Sequence, residues 1–151
     1  MPPQPSIRYL QRKEVNSAAW DHCIQKAENG LIYGYSFYLD NMAGDWDALV
    51  WEDYVYVMPL PWRKKWGIAY LYHPFLTAQL GVFGTGLSAD ILAAFLEAIP
   101  KKFRYWDFPL NHQNLFSIQG FVLLPRMNFT LSLHQPYESL YKAYRENTRR
   151  N

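Results

Sequence analysis

Residues 70–83 read YLYHPFLTAQLGVF, a strand that passes into a glycine-rich connection. An aromatic strand over 68–72 runs into His73-Pro74-Phe75. The polar pair Thr77 and Gln79 then interrupts an apolar run ahead of Gly81, Gly84 and Gly86. Ser88 follows as a helix cap, with Ile91, Leu92, Phe95 and Leu96 on one face of a helix over 89–99 that Pro100 stops. The stretch therefore joins a strand to a helix through a glycine-rich connection, inside a chain that carries both element types.

Upstream, 46–51 and 54–60 are β-rich runs separated by Glu52-Asp53, the pattern of a hairpin. Pro59 and Pro61 are expected to end the second run, and Arg63-Lys64-Lys65 to form a basic turn. Before them, 7–10 reads as a strand. Asn16 caps a helix through about Lys26, whose stripe is Ala18, Ala19, Cys23 and Ala27 with Trp20 and Ile24. Asn29-Gly30 breaks that helix, 31–33 is a short extended piece, and Ser36 caps a single helical turn. Downstream, 103–108 is a strand and 110–117 a polar loop. Residues 121–124 with 127–133 form a last strand or bent strand pair, and Pro136 starts a helix that runs to the chain end. The order gives one α+β domain without internal repeats.

Half of the 151 residues are hydrophobic and 18% are aromatic, which excludes disorder and leaves aromatic surface beyond the needs of a core. Some of the twelve Tyr and six Trp are expected to line a groove. A net charge of +2 is too small for a domain built to neutralise many phosphates. Cys23 is the single cysteine, so a disulfide framework and a multi-cysteine metal site are excluded. The four His lack metal-ligand spacing, and no metal is expected. No apolar run reaches the ~20 residues of a membrane span, and a cytoplasmic setting is expected.

Several motifs in order carry a resemblance. They are Trp20-Asp21-x-Cys23-Ile24, then Asn29-Gly30, then Tyr33-x-Tyr35-Ser36-x-Tyr38-Leu39-Asp40 and Met58-Pro59-Leu60-Pro61. Next come Pro74-Phe75-x-x-x-Gln79-Leu80-Gly81-Val82-Phe83 and the closing Tyr144-Arg145-x-Asn147-x-Arg149-Arg150-Asn151. Together they resemble the N-terminal half of FemAB-like proteins of the GNAT (acyl-CoA N-acyltransferase) superfamily, over most of the chain from Trp20 onward. The resemblance implies a GNAT-like fold, a mixed, bent sheet flanked by helices. It also implies that residues 1–151 are the first of two such domains, cut short before the second. The first half would shape the acceptor site. The second, missing C-terminal domain would hold the donor, acyl-CoA or aminoacyl-tRNA, as co-substrate of the full-length protein, with none bound by this half. Nucleic acid is otherwise not expected as a partner.

Gly84, Thr85 and Gly86 precede the helix at Ser88 and are the nearest approach to a donor pyrophosphate loop, which needs free N–H groups at a helix N-terminus. Gly81 stands where that motif has Gln or Arg, and Asp90 puts a carboxylate in the first helical turn, so a plain strand-to-helix turn is the simpler reading. A general base is needed for transfer to an amine, and His73, Glu97, Asp107 and His112 are available without a spacing that marks a site. Cys23, on an apolar helix face, reads as a buried thiol. Arg63-Lys64-Lys65-Trp66 is the best anion-binding candidate, against a solvated hairpin turn. Tyr33, Lys64, Trp66, Tyr72 and Gln79 are expected to line a groove for a small-molecule or peptide amine acceptor, in a protein inactive alone. The alternative is a non-catalytic aromatic-rich module that binds a glycan or peptide. The final helix, through Leu140 and Tyr144, could pair two copies as a homodimer.

Overall fold

The computed structural model describes residues 6–149, which fall into two units dividing after Phe121. The first is α+β, built on one five-stranded mixed sheet in the order β1-β2-β3-β4-β5. The strands are β1 Ile7–Gln11, β2 Asp45–Trp51, β3 Tyr56–Lys65, β4 Ile68–Leu71 and β5 Phe103–Trp106. β1 to β4 pair antiparallel, and β5 joins β4 in parallel with a register irregularity between Ala69 and Leu71.

Because side chains alternate along a strand, the register assigns each residue a face. Leu10, Trp46, Ala48, Val50 and Val57 share one face with Trp20, Cys23 and Ile24 of helix α1 (Ser17–Lys26) and Leu39 of α2 (Ser36–Met42). Tyr9, Leu49, Met58, Leu60, Trp62 and Leu71 share the other with Leu92, Phe95 and Leu96 of α3 (Ala89–Glu97). The sheet is thus covered by helices on both faces. The helix starts follow the expected caps. Asn16 Oδ1 accepts from the N–H groups of Ala18 and Ala19, and Ser88 Oγ accepts from Ile91 N.

The segment after β4 is held by a buried amide cluster. Asn29, Asn111 and Asn114 are all buried. Asn114 Oδ1 accepts from Val82 N at 2.8 Å, and Val82 O accepts from the amides of Asn29, Asn111 and Asn114 at 2.9, 3.0 and 3.1 Å. Asn29 Oδ1 accepts from Gly84 N at 3.1 Å. Three loop asparagines thereby replace the ladder that this segment lacks, apart from the bridges Val57–Phe83 and Leu80–Leu110.

Four expectations are corrected. First, β3 does not end at Pro59 and Pro61 but runs on to Lys65. Val57 exchanges bonds with Phe83 and Pro61 O accepts from Tyr72 N, so odd-numbered β3 residues turn their backbone groups away from β2. Both prolines occupy that parity, so the β2 ladder never asks for their missing N–H. Second, Arg63, Lys64 and Lys65 therefore lie in the strand, and the turn is Trp66-Gly67, both at positive φ (50° and 81°) as a two-residue type I′ hairpin requires. Third, 31–33 is not one extended piece: Leu31 is extended, but Ile32–Gly34 is a 3-10 turn, and Ser36 binds Asp21 instead of capping α2. Fourth, 121–124 and 127–133 contain no strand, since alternation prepares a half-buried face but no partner strand supplies a ladder.

The second unit carries α4 (Tyr137–Ala143) and α5 (Glu146–Arg149) in place of one continuous helix. Tyr144 between them is extended, at ψ 144°. α4 has no buried residue, and a helix this short gains little from its own backbone ladder. Arg150 and Asn151, part of the basic tail, lie outside the described residues.

Candidate functional site

Along the α3 face of β3 the row Met58, Leu60, Trp62, Lys64 grades from buried apolar to exposed cation. Its last two members enter a cavity of about 440 Å3 beside the β3–β4 hairpin, whose other walls include Ile68, Ala69, Lys102 and Arg104. Lys102 is held from several sides. Its ammonium donates to Asp47 Oδ2 at 3.3 Å and to the Tyr9 hydroxyl, and it stands 4.8, 5.4 and 4.7 Å from the ring centroids of Tyr9, Trp62 and Phe103. The Tyr9 hydroxyl in turn donates to Asp47. Burial, and then the bond to the Asp47 carboxylate, push the Tyr9 phenol above its ordinary range. The Trp62 indole N–H is buried and is the only buried side-chain polar atom among the described residues without a hydrogen-bond partner. Leaving such a donor unpaired costs about 1–3 kcal/mol.

The expected groove residues separate. Lys64 lies on the α3 face, whereas Tyr72 lies under the Arg63 guanidinium, 4.2 Å away, with Arg63 on the opposite face of β3. The Tyr72 hydroxyl donates to Ala43 O, so its polar tip is used within the fold. Tyr33 packs edge-on against Tyr38 and belongs to the α1 and α2 side. Gln79 Oε1 accepts from His112 N at 2.8 Å. Trp66, at the hairpin tip, is 90% exposed, with Lys65 Nζ 4.7 Å from its ring.

Gly84 and Thr85 line a second cavity of about 280 Å3, with His22, Cys23, Lys26 and Tyr54. Two of the loop N–H groups are engaged. Gly84 N donates to Asn29, and Gly86 N approaches Glu28 Oε2 at 3.4 Å. With Asp90 in the first turn of α3, an anion at this loop would meet two carboxylates. Burial pushes the Cys23 thiol up to about 11, and the thiol donates to Val55 O, which makes it a poor nucleophile at neutral pH.

No family model, curated protein or solved structure matches this chain. His73 Nε2 hydrogen-bonds Thr77 O and closes the turn after β4. Among the described residues no group of three His, Cys, Asp or Glu side chains could hold a metal ion, and no helix is long and apolar enough to cross a membrane.

Trp62, Lys102 and Arg104 were not legible as site residues. The signals available were an aromatic-basic alternation, Trp62-Arg63-Lys64, and the Lys102-Phe103-Arg104 triplet. What joins them is the parallel pairing of β4 with β5, which no local pattern announces.

Proposed function

We propose that this chain is the acceptor-recognition half of a two-domain, FemAB-like N-acyltransferase of the GNAT superfamily. It would act in the cytoplasm and serve acyl or aminoacyl transfer to an amine. The observation that carries the reading is the sheet. Four antiparallel strands and one parallel edge strand, with helices on both faces, make the mixed architecture that the motif resemblance implies. The donor, acyl-CoA or aminoacyl-tRNA, belongs to the second domain. In support, the Gly84-Thr85-Gly86 loop already commits N–H groups to Asn29 and Glu28.

Calorimetric titration with acetyl-CoA tests this division of labour. No saturable binding in the micromolar range is expected. Micromolar binding that Thr85→Glu abolishes would place the donor on this half and refute the reading.

A second reading, a non-catalytic module for a glycan or peptide, is favoured by one observation: Trp66 stands 90% exposed at a hairpin tip beside Lys65. A tryptophan-fluorescence response to such ligands, lost in Trp66→Ala and indifferent to amine groups, would select it.

A further inference from the structure

We propose that the cavity beside the β3–β4 hairpin binds a phosphorylated small molecule. Its phosphate would be held by Lys64, Lys102 and Arg104, and its body would lie against Trp62. The inference rests on the cavity alone and does not depend on the acyltransferase reading.

Three cations line the cavity, and Asp47 is the carboxylate paired with one of them, so two positive charges remain in surplus. Among the described residues neither Lys64 nor Arg104 makes an ion pair. A phosphate monoester, whose second ionisation lies near pH 6, carries close to two negative charges at neutral pH and matches that surplus better than a single carboxylate does. Arg104 adds a planar fork suited to phosphate oxygens.

Lys102 is fixed by Asp47, by the Tyr9 hydroxyl and by three aromatic faces, so its rotamer freedom is already spent before any ligand arrives. The volume of about 440 Å3 falls within the roughly 300–1,000 Å3 typical of small-molecule sites, room for an organic body as well as the phosphate. The flat Trp62 ring with Ala69 offers that body an apolar wall.

The test is calorimetry at low salt with inorganic phosphate, glucose 1-phosphate, UMP, and the unphosphorylated glucose and uridine. Glucose 1-phosphate, UMP or both are expected to bind saturably and more tightly than inorganic phosphate, and glucose and uridine not to bind. A preference between the two identifies the body as sugar or nucleoside. Lys64→Ala and Arg104→Ala should each weaken binding about tenfold, as loss of a charge-assisted hydrogen bond does. Trp62→Ala removes the aromatic wall, and about a threefold or greater loss is expected. Lys65→Ala removes the same charge from the opposite face of β3 and should leave binding unchanged. If Trp62→Ala fails to fold, as circular dichroism would report, the two exposed cations carry the test. Any of four results overturns the proposal: no saturation by about 10 mM of either phosphorylated compound, an equal loss in Lys65→Ala, citrate competing as well as glucose 1-phosphate, or inorganic phosphate binding as tightly as both.

Discussion

The amide cluster makes a quantitative forecast that separates two neighbouring asparagines. In Asn114→Ala the Val82 N–H loses its acceptor inside the core, while Val82 O keeps the amides of Asn29 and Asn111. One orphaned buried donor costs about 1–3 kcal/mol, and the lost side-chain packing brings the expected destabilisation to about 2–4 kcal/mol. Asn111→Ala removes more hydrogen bonds and strands two buried donors. Its Oδ1 accepts from Asn29, Asn114 and Gln113; each of the first two amides keeps one N–H on Val82 O, but its second N–H loses its acceptor inside the core. A cost of about 3–5 kcal/mol is expected there, from two orphaned donors and the lost packing. Urea unfolding monitored by fluorescence, compared at constant m-value, measures both. If Asn111→Ala costs no more than Asn114→Ala, then orphaned donors do not govern the stability of this cluster.

Three further outcomes follow from local geometry. Asp40 accepts from Arg12 at 2.6 Å and from the indole N–H of buried Trp46 at 2.8 Å; the Arg12 hydrogen bond, offset by burial, and the Trp46 bond hold its carboxyl below the ordinary value. Arg12→Ala should therefore cost less than about 1 kcal/mol, as a partly exposed pair does, and Asp40→Ala about 1–3 kcal/mol because it strands the Trp46 donor. The Asp40 contribution should be present above its unfolded value and fade as pH falls through the lower folded one, so acid unfolding curves of wild type and Asp40→Ala converge at low pH. For Cys23, the unfolded thiol ionises near 9 and the folded one at about 11, so stability should decline as pH rises through that window, and Cys23→Ala should flatten the decline in urea titrations. Gly84→Ala would place a Cβ 2.2 Å from the Tyr56 ring, whereas Gly67→Ala meets nothing within 4 Å and bears only the strain of φ +81°. Thermal melts should show the first as the more destabilising, the second costing about 1–2 kcal/mol.

What the sequence made legible were the elements whose signals are local. The Asn16 and Ser88 caps, the α1 and α3 stripes and β2 depend on neighbours a few residues away, and each appears where its pattern points. Pro59 and Pro61 misled because a proline ends a strand only if its N–H is needed, and that depends on which neighbour the residue faces. Met127, Phe129, Leu131 and Leu133 alternate as a strand should, yet a strand exists only with a partner, and they are exposed. The asparagine cluster escaped for a related reason. Asn29 reads as a helix breaker and Asn111 and Asn114 as loop residues, and their burial comes from contacts up to 82 positions apart. The basic cavity lay beyond reach in the same way, since Lys64 and Lys102 meet only through the β4–β5 pairing.

The acceptor role is tested most directly by tryptophan fluorescence with peptides and amino sugars, each offered in free-amine and N-acetylated form. An acceptor half must recognise the amine that receives the acyl group. At least one free-amine compound should bind saturably and lose about tenfold or more on its acetylation. Binding indifferent to acetylation across every pair would rule out the acceptor role and leave the chain a binding module.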